Sequence, residues 1–236
     1  FKATKAPKKR LHGTGAKNWG ANSVLEARIR LNSGLILTMV FVALIEPDNA
    51  WKTSQCDTLE DFVTSLEQFN IVKSDIVSKA MRAVDRANYV RDASSAYEDS
   101  PQPIGYEATI SAPHMHAWCL ELFSDMMKEN MSVLDVGSGS GYLTACMASM
   151  LKERYPEKPG KVIGIDIIPE LVLYAQKNTQ AANADLMSPG GSVAFQLANG
   201  WEGAPEHAPF DFIHVGAAAE SLPQSLVDQL RVGGRM

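Results

Sequence analysis

Cysteine is scarce in this sequence of 236 residues, which contains only Cys56, Cys119 and Cys146. They are odd in number, widely spaced and outside any C-x-x-C pattern, so neither a disulfide framework nor a zinc site can be built from them. We interpret them as reduced thiols buried for packing, because free cysteines behave as small hydrophobic side chains. Reduced thiols are typical of the cytoplasm, where we expect to find the protein.

Positive charge is lacking beyond the first fifth of the chain. Residues 1–50 hold eight Lys or Arg against three acids, whereas the remainder holds fourteen against twenty-four, and the net charge is −5. Nucleic acid binding requires a basic surface to meet the phosphates, so nucleic acid is excluded as the main partner. Proteins, peptides and small molecules remain.

Long hydrophobic runs are also missing. The apolar stretch at residues 35–45 is shorter than the roughly 20 residues that a membrane-spanning helix needs. It follows basic residues between Lys2 and Arg30, which is the order found in signal peptides, but Glu46 and Pro47 stand where a cleavage site of small residues would be. We predict that residues 1–49 are an extension, either a targeting segment or a poorly ordered one, in front of a domain at residues 50–236.

Three helices are predicted in the first half of that domain. Asp57 and Glu60 have the spacing of a capping box, and apolar residues then repeat at intervals of three and four. A second helical pattern covers residues 74–86, and a third begins at Pro113 and reaches about residue 129. Residues 93–105, rich in Ser, Pro and Gly, are predicted to form a loop. The apolar face of the third helix is predicted to hold Trp118, Leu122, Phe123 and Met126.

From residue 132 onward, short apolar runs alternate with helical stretches, which predicts βαβ units and a parallel sheet covered on both faces. We therefore expect a doubly wound α/β domain with a helical N-terminal cap. The chain ends on a Gly233-Gly234 turn that leads toward another strand, so the C-terminal strands of the sheet are expected to be missing. The strand patterns lie at 132–136, 161–165, 193–197 and 210–215, and the helical ones at 142–154, 170–182 and 223–230.

The strongest local motif is the glycine loop, residues 137–141, between a strand pattern and a helix. Gly137, Gly139 and Gly141 occupy alternate positions, and glycine is needed where the backbone takes positive φ or lies against a ligand. Dinucleotide-binding loops space their glycines as G-x-G-x-x-G around a pyrophosphate. Here the spacing is G-x-G-x-G, and Asp135 just before the loop would repel a pyrophosphate but attract the cationic amino and sulfonium groups of S-adenosylmethionine.

Two later strands end on residues that suit an adenosine group. Asp166 closes its strand where α/β nucleotide-binding folds place an acid for the ribose hydroxyls, although a capping role for the next helix is the alternative. Ala198 and Asn199 follow the next strand and are placed to meet the adenine edge. A type I′ turn at Asn199-Gly200 is the alternative at that point.

Three further segments carry a resemblance to a known family. Together with the glycine loop, they closely resemble the protein-L-isoaspartate (D-aspartate) O-methyltransferase family, over the chain from about Ala50 to Met236. Many methyltransferases share the glycine loop, whereas the second segment below is specific to this family. The segments are Asp99-Ser100-Pro101-Gln102-Pro103-Ile104-Gly105, Ala108-Thr109-Ile110-Ser111-Ala112-Pro113-His114-Met115-His116-Ala117 and Ile213-His214-Val215-Gly216-Ala217-Ala218-Ala219.

The resemblance implies a Rossmann-like class I methyltransferase fold, S-adenosyl-L-methionine as cofactor with S-adenosyl-L-homocysteine as product, and a monomer. It also implies that isoaspartyl and D-aspartyl residues of damaged proteins are methylated on a carboxylate, and that the ester then closes to a succinimide. Ser111 is implied as the catalytic residue, with Thr109 beside it. The cofactor-binding residues expected from the resemblance and from the glycine loop are Ala108, Thr109, Ile110, Ser111, His116, Asp135, Gly137, Gly139, Ser140, Gly141, Asp166, Ile167, Ala198 and Asn199.

The sequence departs from the family pattern at two of these positions. Many members have His where this chain has Ile167 and an acid where it has Asn199, so we expect weaker or rearranged contacts with the adenosine. His116 is interpreted as a donor in the pocket and His214 as a structural residue. His114 and His116 lack a third ligand nearby, so no metal site is expected.

Three alternatives to this function stay open at the level of sequence: a nicotinamide oxidoreductase, which would need the spacing G-x-G-x-x-G, and the two that follow. One is a methyltransferase with another substrate, which would keep the glycine loop and Asp166. The other is a truncated, catalytically weak fold that binds a nucleoside or a partner without turnover.

Overall fold

The structure, a computed structural model, describes residues 56–236 and the backbone of two earlier strands, β1 (Val24–Arg30) and β2 (Ile36–Val42). The remaining positions before Cys56 lie outside the described residues. Among them are Ala50 and the residues after it, where the domain is predicted to start, and the basic residues near the start of the chain.

A mostly parallel sheet forms the centre of the molecule. Its order is β1-β2-β9-β8-β5-β6-β7, and the five strands from β9 to β7 are mutually parallel. Their apolar residues alternate between two buried clusters on opposite faces, with Val133 in one and Leu134 in the other. The predicted doubly wound α/β fold is therefore confirmed. The five strands are β5 (Ser132–Val136), β6 (Lys161–Asp166), β7 (Val193–Leu197), β8 (Phe210–Val215) and β9 (Leu230–Arg235).

Helices cover both faces of this sheet. Three helices pack on the larger cluster: α3 (Pro113–Ser124), α4 (Tyr142–Arg154) and α5 (Pro169–Ala182). Helix α7 (Gln224–Asp228) packs on the smaller cluster, and the short helix α6 (Ala184–Met187) follows α5. The apolar face predicted for α3 is wrong in part. Of its four predicted members, Phe123 is buried and Trp118 and Met126 pack partly buried against the core, whereas Leu122 belongs to neither apolar cluster. His116, Ala117 and Leu120 of the helix are also buried. The helix buries a small alanine, Ala117, and a hydrogen-bonded histidine, His116. The prediction placed the largest apolar side chains toward the core and therefore left these two residues out.

The predicted helical cap is present in front of the sheet. It consists of α1 (Leu59–Gln68), α2 (Asp75–Ala83) and a 3-10 turn at Arg86–Tyr89. The capping box lies one position later than predicted, because Thr58 is the N-cap of α1 and its hydroxyl oxygen accepts a hydrogen bond from the Asp61 N–H at 3.1 Å.

A β-hairpin occupies part of the predicted loop and the residues after it. Strand β3 (Gln102–Gly105) pairs antiparallel with β4 (Ala108–Ile110), and the two-residue tip, Tyr106 and Glu107, has positive φ at both positions. This is the backbone of a type I′ turn, which joins two short strands without splaying them. The hairpin ends directly in front of α3.

The edge of the sheet also differs from the prediction. Residues 230–235 are a strand that pairs parallel with β8, rather than a turn that leads into one. On its other side β9 pairs with β2 at Thr38 and Arg235, and β2 pairs antiparallel with β1. Both strands lie within residues 1–49, which are predicted to be an extension. Where the domain begins stays a prediction.

Candidate active site

A pocket of about 430 Å³ opens at the carboxyl ends of the central strands. Val136, Asp166 and Val215 line it from the ends of β5, β6 and β8. The order of the strands reverses beside β5, with β6 and β7 on one side of it and β8 and β9 on the other. Open α/β sheets bind their ligands in the crevice at such a reversal. The volume lies within the range of roughly 300–1,000 Å³ that is usual for cofactor sites.

The glycine loop forms one wall of the pocket. Gly137 and Gly139 both line it, and both have positive φ, at 79° and 53°. Gly141 also has positive φ, 88°, but a Cβ there would approach the Phe195 ring at 2.9 Å, so its position is required by packing below the pocket. Ser140 is likewise buried outside the lining residues, where its carbonyl accepts a hydrogen bond from Asn178. The structure therefore brings two of the four predicted loop contacts to the pocket.

Asp166 joins the glycine loop to the next strand. Its Oδ2 accepts a hydrogen bond from the Gly139 N–H at 3.0 Å, and its Oδ1 accepts one from the Ile168 N–H at 3.1 Å. An ionised carboxylate offers about four acceptor sites, so two remain for hydroxyl groups in the pocket. The N-cap of α5 is Ile168, without a side-chain cap, so Asp166 does not cap that helix directly.

The far side of the pocket carries the other predicted adenosine contacts. Ile167, Ala198 and Asn199 all line it, and so does Trp201, whose exposed fraction is 51%. The Asn199 side chain accepts the Trp201 N–H at 3.1 Å, forming a local turn that places this indole at the rim. This turn engages the amide oxygen of Asn199, and the contact of Ala198 and Asn199 with the adenine edge stays a prediction.

The wall opposite the glycine loop is the acceptor segment, residues 108–111, which includes β4. Ala108 and Thr109 line the pocket, whereas Ile110 is buried and Ser111 lies half-buried just beyond the lining residues. The N-cap of α3 is Ala112. Ser111 is therefore free of a capping role, and its carbonyl accepts a hydrogen bond from Arg86 at 2.9 Å.

Asp135 is placed differently from the prediction. It is 1% exposed, and its carboxylate accepts hydrogen bonds from the Thr144 hydroxyl at 2.5 Å and from His214 Nδ1 at 2.8 Å. Successive side chains of a strand point to opposite faces, so Val136 faces the pocket and Asp135 faces away from it. Asp135 therefore does not line the pocket, and its contact with the cationic end of the cofactor stays a prediction.

His214 is held by the same carboxylate. Burial alone would lower the pKa of His214, but the Cys119 thiol and the Asp135 carboxylate outweigh it and raise that pKa to about 10. The imidazole is therefore charged at neutral pH and forms an ion pair below the pocket, in accordance with the structural role expected for it.

His116 lies behind the acceptor segment instead of in the pocket wall. It is buried, and its Nδ1 accepts a hydrogen bond from Arg86 Nη1 at 3.2 Å, because a guanidinium can only donate. Burial, followed by the positive charge of Arg86, holds the pKa of His116 well below its usual value. The ring is neutral and carries its proton on Nε2.

Several residues of the site were not predicted from the sequence. Glu107 at the hairpin tip and Trp201 line the pocket, Arg86 supports the acceptor segment from behind, and Asp99 holds His114 in the first turn of α3. The Asp99 carboxylate accepts hydrogen bonds from the His114 N–H at 2.9 Å and from His114 Nδ1 at 2.6 Å. Asp99 lies in one of the segments that resemble the family, and this position was the available signal that it belongs to the site. Arg86 lies at the end of an amphipathic helical pattern, which gave no indication that its side chain is buried.

The charge of the pocket indicates the kind of ligand that it accepts. Among the described residues that line it are two acids, Glu107 and Asp166, and neither lysine nor arginine. This wall disfavours a phosphate and favours a cation or a neutral polar group. Glycine backbone, an acid with spare acceptor sites and an apolar rim together fit S-adenosylmethionine.

No group of three His, Cys, Asp or Glu residues in the described part of the chain is arranged to hold a metal ion. Within the same residues, none of the helices has both the length and the apolar character needed to cross a bilayer.

Known proteins resemble this chain over most of its length. The sequence model of the family Protein-L-isoaspartate(D-aspartate) O-methyltransferase (PCMT) matches residues 57–236. Protein-L-isoaspartate O-methyltransferase 1 of Arabidopsis thaliana is 50% identical over 186 residues, which are 79% of this chain and 79% of that protein. The Caenorhabditis elegans Protein-L-isoaspartate O-methyltransferase is 40% identical over 187 residues, with the same two coverages of 79%.

A solved structure extends the similarity to three dimensions. It is that of a candidate protein-L-isoaspartate O-methyltransferase from Plasmodium falciparum in complex with S-adenosyl-L-homocysteine. The two chains superpose with a TM-score of 0.68 at 34% identity, over 76% of this chain and 82% of the other. The chain therefore belongs to the protein-L-isoaspartate (D-aspartate) O-methyltransferase family, whose members are S-adenosylmethionine-dependent methyltransferases.

Proposed function

We propose that this protein transfers a methyl group from S-adenosylmethionine to the carboxylate of L-isoaspartyl residues, and of D-aspartyl residues, in damaged proteins. The observation that carries this proposal is that Ala108 and Thr109, from the family-specific segment, share one pocket with Gly137, Gly139 and Asp166. A cofactor in this pocket would thus meet the acceptor segment directly.

The cofactor side of the pocket has defined roles. Gly137 and Gly139 let the backbone approach the cofactor, Asp166 would accept hydrogen bonds from the ribose hydroxyls, and Ile167 would pack against the adenine. When bound, S-adenosylmethionine supplies a methyl group already activated by the sulfonium. The protein therefore needs no nucleophile of its own.

The acceptor side has to orient a carboxylate. Isoaspartyl carboxylates are ionised at neutral pH, so no base is required to activate them. Holding the reactants in line is worth about 7–11 kcal/mol in well-oriented systems. We assign the aiming of the carboxylate to the Ser111 hydroxyl, with Thr109 beside it on the pocket wall. The resulting ester would close to a succinimide without further help from the enzyme.

The proposal also includes the location of the protein in the cell and its oligomeric state. Cys146 is a fully buried thiol, which suits the reducing cytoplasm. A monomer suits a pocket that one chain builds completely from its own strands and hairpin.

The decisive experiment is transfer of labelled methyl from S-adenosylmethionine to an isoaspartyl peptide, with the normal aspartyl isomer of the same peptide as the control. We expect a base-labile ester to form on the first peptide and none on the second. Two results would instead indicate a methyltransferase of other specificity. One is methylation of both peptides, and the other is methylation of neither peptide while a different acceptor is methylated. Tight binding of S-adenosylhomocysteine without any turnover would indicate a binding fold.

A further inference from the structure

Arg86 is a buried cation at the back of the acceptor segment. It is 0% exposed and donates three hydrogen bonds, from Nε to the Ala96 carbonyl at 2.9 Å, from Nη2 to the Ser111 carbonyl at 2.9 Å and from Nη1 to His116 at 3.2 Å. All three acceptors are neutral. Burial lowers the pKa of Arg86 to about 10, so the side chain keeps its charge at neutral pH.

This arrangement is unusual for an arginine, because buried charges are ordinarily paired with an opposite charge. Asp99 is close enough to favour the charged form of Arg86, but both of its oxygens are engaged by His114. Arg82, four residues earlier, shows the ordinary case. It lies partly exposed on α2 and pairs with Glu60 at 2.8 Å and with Glu67 at 3.0 Å.

The contacts of Arg86 also connect the two halves of the site. Its guanidinium lies 5.5 Å from the ring centre of Tyr142, the first residue of α4 and the direct continuation of the glycine loop. One side chain thus touches the acceptor segment through Ser111 and the element that follows the cofactor loop. Any displacement of Arg86 would change the spacing of acceptor and cofactor.

We propose that Arg86 is a positioning residue for the acceptor carboxylate, which it attracts to the Ser111 hydroxyl by its positive charge while it holds the acceptor segment from behind. This inference rests on the proposed function. A charge in the protein interior acts more strongly on a nearby carboxylate than it would in water. The role is specific for an anionic acceptor, because a neutral amide in the same place would gain little from it.

The test compares two ligands and three variants. Binding to the protein saturated with S-adenosylhomocysteine is measured by calorimetry, first for an isoaspartyl peptide and then for the same peptide with an isoasparaginyl amide. The variants are Arg86→Gln, which removes the charge, Arg86→Lys, which keeps it, and Arg82→Gln as the matched control. Steady-state kcat and KM with the isoaspartyl peptide are measured on the same samples.

We expect Arg86→Gln to weaken binding of the acid peptide about tenfold or more and to raise its KM, while binding of the amide peptide changes by less than about threefold. Arg86→Lys should restore most of the preference for the acid, and Arg82→Gln should leave it intact. An equal loss for both peptides in Arg86→Gln would overturn the inference and leave Arg86 a purely structural residue.

The wild-type protein provides a second test, which does not depend on the folding of any variant. It should bind the acid peptide at least about tenfold more tightly than the amide peptide, and equal affinities would overturn the inference. A wild-type protein that prefers the acid peptide but fails to methylate it would contradict the proposed function alone. One that methylates the acid peptide without preferring it would contradict only the role of Arg86.

Discussion

Ser111 stands between β4 and α3 with its carbonyl fixed by Arg86 and its hydroxyl free of a capping role. We therefore expect Ser111→Ala to lower kcat with the isoaspartyl peptide about ten- to a hundredfold, the equivalent of one hydrogen bond to a charged group. Affinity for S-adenosylhomocysteine and the melting temperature should stay close to those of the wild type, because the change removes only an orienting contact.

A second serine of the same helix provides the control for this prediction. Ser124 lies at the end of α3, where its hydroxyl donates to the Glu121 carbonyl, far from the acceptor segment along the helix. Ser124→Ala should leave kcat unchanged. A Ser111→Ala variant that melts at a lower temperature but retains the full rate per folded molecule would contradict the assignment.

Asp166 accepts a hydrogen bond from the backbone of the glycine loop and also faces the pocket. Any substitution of Asp166 affects both contacts, so two ligands are needed to tell their effects apart. We expect Asp166→Asn to weaken S-adenosylhomocysteine binding by about 1–3 kcal/mol, since an amide replaces a charged acceptor. The measurement is calorimetry with S-adenosylhomocysteine and with its analogue that lacks both ribose hydroxyls. If the two ligands lose the same affinity, Asp166 acts only through the loop.

At the scale of single residues, the sequence could predict side chains whose position follows from the end of a strand. Asp166 and Gly137 are of this kind, and both line the pocket. Asp135 precedes Gly137 by two residues, yet it faces away from the pocket and is hydrogen-bonded to His214, which comes from a strand 79 residues later. Which face of a strand meets a ligand depends on such distant neighbours, and a local motif does not contain them.

At the scale of secondary-structure elements, packing at the junction between the glycine loop and α4 can be tested with two glycines. Gly141 and Gly190 have nearly the same positive φ, 88° and 86°, but a Cβ at Gly141 would lie 2.9 Å from Phe195, whereas nothing lies within 4 Å of one at Gly190. We expect Gly190→Ala to show the cost of the backbone conformation alone, about 1 kcal/mol in the free energy of unfolding. Gly141→Ala should cost clearly more, as measured by urea unfolding.

Equal losses in the two glycine variants would mean that Phe195 moves aside without cost. The two substitutions are otherwise identical, so the difference between their unfolding free energies isolates the contact between α4, α5 and β7 on which the loop rests.

Elements whose own residues determine their shape were predicted well. The bounds of β5, β7, β8 and α4 agree with the sequence patterns, because each of them combines a continuous apolar run with clear end signals. Strand β3 was predicted as part of a loop, since it contains Pro103 and Gly105 and forms only by pairing with β4. The same reason applies to β9, whose glycines suggested a turn and whose pairing comes from β8 and β2.

At the scale of the whole molecule, the catalytic parts and the outer edge of the sheet lie apart. The pocket is built at the ends of β5, β6 and β8 and by the hairpin, whereas β2 meets the sheet only at β9, where Thr38 pairs with Arg235. We expect deletion of residues 1–49 to leave kcat, and the affinity for S-adenosylhomocysteine, within about twofold of the full chain, because no backbone pairing of the deleted strands reaches the pocket.

The same deletion should have a cost elsewhere. It removes both strands of the β1–β2 pair and exposes the backbone N–H and C=O groups of β9 that face β2, and an open strand edge promotes association between chains. We therefore expect the shortened protein to self-associate at lower concentration, measured by sedimentation velocity. Deletion of residues 1–23 is the matched control, because it keeps β1 and β2 and should change neither activity nor association. A loss of activity that appears in the longer deletion but not in the shorter one would mean that these strands shape the active site through β9, and the boundary predicted at residue 50 would then have to move toward the start of β1.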